Sequence, residues 1–223
     1  MRKIKNIADK IVAGIALIIL SPIMLIACIG IKLSSKGTVL YKAKRMGKDL
    51  KPIIIYKFRT MRMDTEQEGA ITAIDDDRIF PWGNILRKTK IDELPQLFNV
   101  LEGSMSIIGP RPEDISIVKK YYTDKEKTTL NVLPGLACPG SIFNYTHGDQ
   151  YLKGKDIDKI YVKEFMHIKL ALDLYYLEHW NLLYDVEIII RTIYVILITS
   201  LSSRKIEFPM EYRRVFGKRD YKT

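Results

Sequence analysis

Cysteine and histidine are scarce in this chain, with two of the first and three of the second among 223 residues. Cys28 lies in an apolar run and Cys138 far from it, so no exported disulfide framework is expected, and the soluble bulk belongs to a reducing compartment. His147, His167 and His179 lack the clustered spacing of metal ligands and read as ordinary core or surface histidines. Zinc-finger, RRM-like and basic-zipper signatures are also missing, so the net charge of +10 does not by itself argue for nucleic acid. No small-residue cleavage site follows the first apolar run, which is too long for the core of a secretory signal. At this length, one sizeable core with a membrane attachment is the simplest organisation.

What the chain does have is an uncharged apolar run over residues 11–31, divided by Ser21-Pro22. About 20 helical residues cross a bilayer core of about 30 Å, so length alone permits a span. Proline removes an i to i−4 hydrogen bond and crowds the preceding turn, while a serine hydroxyl returning to the backbone favours a bend. Two half-helices of about ten residues rise about 15 Å each, enough to enter a bilayer and return. Arg2, Lys3, Lys5 and Lys10 precede the run, and Lys32, Lys36, Lys42, Lys44, Arg45 and Lys48 follow it. Basic residues beside a membrane segment favour the cytoplasmic side. Both flanks therefore ask for one side, as a re-entrant hairpin broken at Ser21 and Pro22 would allow. A kinked but complete transmembrane helix is the alternative, because such helices tolerate proline. The basic flanks assign much of the positive charge to anionic lipid headgroups.

Residues 39–41 and 53–58 read as short strands separated by the turn-prone Gly47-Lys48-Asp49. Lys57 and Arg59 alternate with bulky neighbours and are expected on one strand face, where they meet phosphate or headgroups or are simply solvated. Residues 64–77 are polar, end in three consecutive acids, and read as a surface loop or lid. The densest chemistry is Asp92-Glu93-Leu94-Pro95-Gln96-Leu97, close after Arg87-Lys88 and shortly before Gly109-Pro110-Arg111-Pro112. Carboxylates suit Mg²⁺, which shares its shell with substrate phosphates, and a guanidinium forks onto phosphate oxygens. A phosphoryl-transfer site is one reading. The other is a pair of acids at the first turn of a helix carrying Leu94, Leu97 and Phe98. Pro95 fits that first turn, Gly103-Ser104 ends the helix, and residues 105–108 read as a buried strand aimed at Arg111. Pro110 and Pro112 fix φ on either side of Arg111, which makes it either a preorganised anion ligand or a plain rigid turn. Further on, residues 157–180 carry apolar positions at helical spacing. Residues 186–199 are apolar but short for a span and hold Glu187 and Arg191, which favours an interfacial helix followed by the basic Arg213, Arg214, Lys218, Arg219 and Lys222.

In number and order these fragments resemble the monotopic phosphoglycosyl transferase family of bacterial sugar transferases. The resemblance is carried by Ser21-Pro22, Lys44-Arg45 with Gly47, Tyr56-Lys57-Phe58-Arg59-Thr60-Met61, Asp77-Arg78 and Leu86-Arg87-Lys88-Thr89. It continues through Asp92-Glu93-Leu94-Pro95-Gln96-Leu97-Phe98-Asn99-Val100, Gly103-Ser104-Met105-Ser106, Gly109-Pro110-Arg111-Pro112, Pro134-Gly135, and Asp173 with Tyr175-Tyr176, reaching about Asp185. It implies an α/β, membrane-associated monotopic fold with an N-terminal re-entrant helical hairpin, interfacial amphipathic helices and a small sheet. The expected division is a hairpin with basic flanks over 1–36, a cytoplasmic catalytic domain over 37–200 and a basic tail over 201–223.

The activity implied is transfer of a sugar 1-phosphate from a UDP-sugar to polyprenol phosphate, with release of UMP, as the first membrane step of surface glycan assembly. Asp92 is then the nucleophile, with Glu93 beside Mg²⁺ and both carboxylates its ligands. Arg111, Arg87, Arg45, Lys57, Arg59, Pro110 and Pro112 surround the phosphates. The expected partners are UDP-sugar, polyprenol phosphate, the phospholipid bilayer and, as an option, a second copy of the chain; nucleic acid is not among them. The implied location is the bacterial inner membrane, with the site on its cytoplasmic face. A noncatalytic membrane scaffold for glycan assembly is the alternative, although it has no need for Asp92, Glu93 and Arg111 together. Two departures stand out: Leu136-Ala137-Cys138-Pro139-Gly140-Ser141-Ile142-Phe143-Asn144 replaces the Thr-Gly-Trp and Gln-Val elements, and Met46 replaces a proline. The first leaves the sugar unreadable, because polar contacts decide such discrimination.

Overall fold

The computed structural model describes residues 2–63, 77–151, 157–201 and 206–217. The polar segment expected as a loop or lid lies outside the described residues except for Asp77, and so do Lys218, Arg219 and Lys222 of the basic tail.

The N-terminal run forms one helix, α1 (Arg2–Ser34), with Pro22 inside it. The expected two half-helices are therefore corrected to a single helix, for a local reason. Pro22 has no N–H to give the Ile18 carbonyl, and the Ser21 hydroxyl donates to that carbonyl at 2.8 Å instead. By length and composition α1 is long enough to cross a membrane. One stripe, however, packs on the rest of the molecule: Ala13, Ala27 and Ile31 are buried, with Leu17, Leu20, Met24 and Cys28 partly so. Their three- and four-residue spacing keeps them on one face. The opposite face exposes Ile4, Ile11, Ile15, Ile18, Leu25, Ile29 and Leu33.

Strands β1 (Leu40–Met46) and β2 (Pro52–Phe58) form an antiparallel hairpin in register from Leu40 with Phe58 to Met46 with Pro52. Helix α2 (Pro81–Lys88) starts on a proline, whose fixed φ suits that position. A 3₁₀ turn over Ile91–Glu93 then leads through Leu94-Pro95 into α3 (Gln96–Glu102), which Gly103 ends at φ 86°. Asn99 pins α3 beside β2, donating to the Ile54 carbonyl at 2.7 Å and accepting from the Tyr56 N–H at 3.0 Å. This places the turn that carries the two acids against the β2 face holding Lys57.

Strand β3 (Ser106–Ile108) pairs in parallel with β4 (Gly135–Ala137), across α4 (Ile115–Tyr121) and α5 (Asp124–Lys127). The remainder is helical: α6 (Pro139–Tyr151), α7 (Ile157–Ile160), a π-turn over Tyr161–Phe165, α8 (Met166–Glu178), α9 (Leu182–Leu201) and α10 (Met210–Phe216). Phe143, Phe165, Leu172 and Tyr212 centre the core that joins α6, α8 and α10. His147 stacks on both Phe143 and Phe208, where burial pushes its imidazole down to about 4. Helix α9 buries Tyr184, Ile188 and Val195 and exposes Leu183, Val186, Ile190, Tyr194, Leu197 and Leu201. Glu187 and Arg191 remain on it because Arg191 forks onto Glu211 of α10 at 2.7 and 2.8 Å.

Candidate active site

Lys90 turns the chain from α2 into the 3₁₀ turn with a left-handed backbone at φ 57°. The two acids that follow have opposite surroundings. Glu93 takes a fork from Arg111, whose Nη1 donates to Oε2 at 2.9 Å and whose Nη2 donates to Oε1. It also accepts from Lys57 Nζ at 3.2 Å and from the Tyr145 hydroxyl at 3.3 Å. Burial pushes the Glu93 carboxyl up, but Arg111 and Lys57 outweigh burial and hold it well below the usual carboxylate range.

Asp92 is only 8% exposed, and its Oδ1 is buried without a hydrogen-bond partner among the described residues. Burial, then the charge of Glu93, pushes its carboxyl above the ordinary value, against the pull of Lys57, Lys90 and Arg87. One acid is thus charge-compensated and fixed, while its neighbour keeps an oxygen without a partner among the described residues.

Arg111 is set by backbone rather than by solvent. Gly109 and Gly135 let β3 and β4 meet so closely that a Cβ on Gly135 would stand 2.1 Å from the Gly109 nitrogen. The Pro110 carbonyl then accepts from the Gly135 N–H at 2.9 Å, and Pro112 is buried. Below this turn, Asp173 of α8 accepts from the Gly140 N–H at 2.9 Å and the Cys138 thiol at 3.4 Å. Burial raises the Asp173 carboxyl to about 6, although these donors and Lys169 pull the other way. The start of α6, and hence Tyr145, is fastened to the same buried acid.

The expected site residues divide. Asp92, Glu93, Lys57 and Arg111 come together, and Arg87 acts on Asp92 while its Nε donates to Thr60 Oγ1 at 2.8 Å. Arg45 instead pairs with Asp114 at 3.1 Å, beside the cap of α4. Arg59 lies just beyond β2, which ends at Phe58, so the strand alternation stops one residue short of it. It is buried, donating to the Thr38 carbonyl at 2.6 Å and to the Ser35 carbonyl and hydroxyl at 2.9 and 2.8 Å. Arg111 is present, but its fork is spent on Glu93.

Sequence reasoning missed Tyr145 and Lys90. Tyr145 follows the segment that departs from the family pattern, so no motif marked it. Lys90 precedes Ile91 and the acidic pair directly, and that adjacency was its only signal.

Among the described residues there is no group of three or more His, Cys, Asp or Glu side chains that would cage a metal. Mg²⁺ does not need such a cage, because it binds through one or two carboxylates and completes its shell with water and substrate phosphate. The orphaned Oδ1 of Asp92 is a hard-oxygen donor of that kind, whereas the oxygens of Glu93 are already taken by Arg111, Lys57 and Tyr145.

The bacterial sugar transferase family matches residues 1–199. The chain is 39% identical over 199 residues to a UDP-N-acetylgalactosamine-undecaprenyl-phosphate N-acetylgalactosaminephosphotransferase of Aeromonas hydrophila, covering 87% of this chain and 44% of that protein. It is 35% identical over 193 residues to a UDP-glucose:undecaprenyl-phosphate glucose-1-phosphate transferase of Klebsiella pneumoniae, covering 85% and 39%. The chain therefore spans less than half the length of these two relatives. Against the exopolysaccharide production protein PSS of Rhizobium leguminosarum bv. phaseoli it is 35% identical over 190 residues, covering 80% of this chain and 87% of that one. With the acidic pair, the Pro-Arg-Pro turn and the apolar N-terminal helix all inside the matched stretch, this chain belongs to the bacterial sugar transferase family.

Proposed function

We propose that the chain transfers a sugar 1-phosphate from a UDP-sugar to polyprenol phosphate through a covalent intermediate on Asp92. The observation that carries this is the unequal environment of the acidic pair, in which Glu93 is saturated by Arg111, Lys57 and Tyr145 while Asp92 Oδ1 has no partner. An Asp92 oxygen attacks the β-phosphorus, forming an acyl phosphate as the bond to the bridging oxygen breaks and UMP leaves with its electron pair. An oxygen of polyprenol phosphate then attacks that phosphorus, the bond to Asp92 breaks, and the carboxylate returns. Covalent catalysis of this kind divides one difficult transfer into two. Glu93 keeps Arg111 in place, and the buried surroundings of Asp92 leave its charge poorly solvated and reactive. Asp92, whose Oδ1 has no partner among the described residues, would hold Mg²⁺, which when bound neutralises charge on phosphoryl oxygens, while the oxygens of Glu93 stay with Arg111, Lys57 and Tyr145.

The activities named for the Aeromonas and Klebsiella relatives support a UDP-sugar donor and undecaprenyl phosphate as acceptor, while their different sugars leave the sugar of this chain open. A water-soluble donor and a lipid acceptor meet only at a membrane surface. The exposed apolar faces of α1 and α9 support attachment to the inner membrane, with both ends of α1 and the site on its cytoplasmic face. Rapid quench with UDP-sugars and Mg²⁺, before any acceptor is added, tests the mechanism. The expected result is about one equivalent of UMP per site and a sugar-phosphate mass adduct on Asp92. UMP appearing only once polyprenol phosphate is present would replace the covalent route by direct attack. No turnover across a broad UDP-sugar panel with acceptor present would favour a scaffold.

A further inference from the structure

This inference deepens the transferase reading and rests on it. A UDP-sugar brings two phosphates to the site, yet the two cations nearest Glu93 are already engaged: Arg111 forks onto it and Lys57 stands 3.2 Å from it. Lys90 is different. Its ammonium rests on the face of Tyr145, 4.2 Å from the ring centroid, and makes no hydrogen bond or ion pair to an oxygen among the described residues. It is half-buried, two residues before Asp92, whose Oδ1 is also without a partner. A left-handed backbone at φ 57° turns the chain at Lys90, and the Tyr145 ring takes its ammonium. Lysine seldom adopts that backbone conformation. Tyr145 sets the arrangement from both ends, because its hydroxyl donates to Glu93 and its ring carries Lys90.

We propose that Lys90, cradled on Tyr145, binds the diphosphate of the nucleotide sugar and holds it beside Asp92. The chemistry recognised is a phosphate-ester anion, which the lipid acceptor also carries. The donor is assigned because Lys90 flanks the carboxylate that must meet the donor first. Lys90 is thus a substrate-contact residue in the turn that carries the nucleophile.

UDP, which has the diphosphate and no sugar, is the probe. Its binding to the full chain in lipid nanodiscs is measured by calorimetry for wild type, Lys90→Met, Lys90→Arg and Lys90→Gly. Met keeps the apolar contact with Tyr145 and loses the charge, so its Kd for UDP is expected to rise roughly 10- to 100-fold, the worth of one charged hydrogen bond. Arg keeps the charge and should stay within about threefold of wild type, as a second cation able to bind phosphate. Gly accepts the left-handed backbone without strain, so its loss of UDP affinity at an unchanged or higher Tm separates the ammonium from the fold. Wild-type UDP affinity in Lys90→Met overturns the proposal, and so does a defect confined to the KM for polyprenol phosphate. A wild-type chain that binds UDP in this Lys90-dependent way but turns over no UDP-sugar defeats the transferase reading and leaves the diphosphate site standing.

Discussion

At the residue scale, the two acids of the pair act on stability with opposite sign. The folded-state carboxyl of Asp92 lies above its unfolded value, chiefly through burial. A raised carboxyl gives stability that is present below the unfolded value and is lost as pH rises through the folded one. At neutral pH, ionised Asp92 therefore works against the fold. Asp92→Asn should abolish turnover yet melt no lower than wild type at pH 7, and up to a few degrees higher if about 1 kcal/mol is relieved. The difference should shrink toward pH 4, and thermal scans across that range check it. A large loss of stability on this substitution would make Asp92 a structural acid. Glu93 has the opposite sign, and its partner Arg111 gives the second prediction. Arg111→Met partly strands a buried carboxylate, which keeps Lys57 and Tyr145, and should cost about 1.5–3 kcal/mol in urea unfolding. Adding Glu93→Gln to that variant should restore much of the loss, because the stranded charge is removed. Additive losses would mean that the pair is not coupled.

At the scale of elements, α6 depends on one glycine. A Cβ on Gly140 would stand 2.7 Å from the Lys169 carbonyl and 2.8 Å from Asp173 Oδ1, both on α8. Gly140→Ala should therefore push α6 away and cost about 1–3 kcal/mol, as overpacking does. It should also weaken activity by moving Tyr145 from Glu93, whereas an unchanged melting curve would place the strain elsewhere. How legible each element was follows from whether its signal was local. Pro95 and Gly103 bracket α3 in the sequence as in the structure, and the Gly47-Lys48-Asp49 turn lies between the two expected strands. The continuity of α1 was hidden, since it rests on one Ser21 hydroxyl taking the carbonyl that Pro22 leaves. The contacts of Arg59 with Ser35 and Thr38 were not legible, because the alternation rule holds only while the strand lasts. Within the site, the acidic pair, Lys57 and Arg111 were visible as charged residues in motifs. That Glu93, and not a substrate, takes the Arg111 fork required three segments to meet in space, which no spacing along one segment displays.

At the scale of the whole molecule, one folded body grips both ends of α1. Near its start, Lys5 pairs with Asp185 at 2.7 Å, Asp9 accepts from Ser106, and Tyr176 and Trp180 also donate to Asp185. Just past its other end, Arg59 holds Ser35 and Thr38, and Trp82 Nε1 donates to the Ala27 carbonyl at 3.4 Å. A helix of this length reaches about 50 Å, so a conventional crossing would tear one of these anchorages away and leave ionised groups without partners. If both ends of α1 lie on one side of the membrane, as proposed above, polar anchorage rather than a break at proline holds them there, which gives the last prediction. Single cysteines at Asn6 and Lys36, in a chain lacking Cys28 and Cys138, should react with an impermeant reagent from the same side of sealed vesicles. Pro22→Leu restores a backbone donor to an unbroken helix and should leave that pattern unchanged. Asp185→Leu strips Lys5 of its 2.7 Å partner and should loosen the N-terminal anchorage, read as faster labelling at Asn6. Opposite-side labelling in the parent chain would overturn the arrangement, and a change of side caused by Pro22→Leu alone would return control of the topology to the proline.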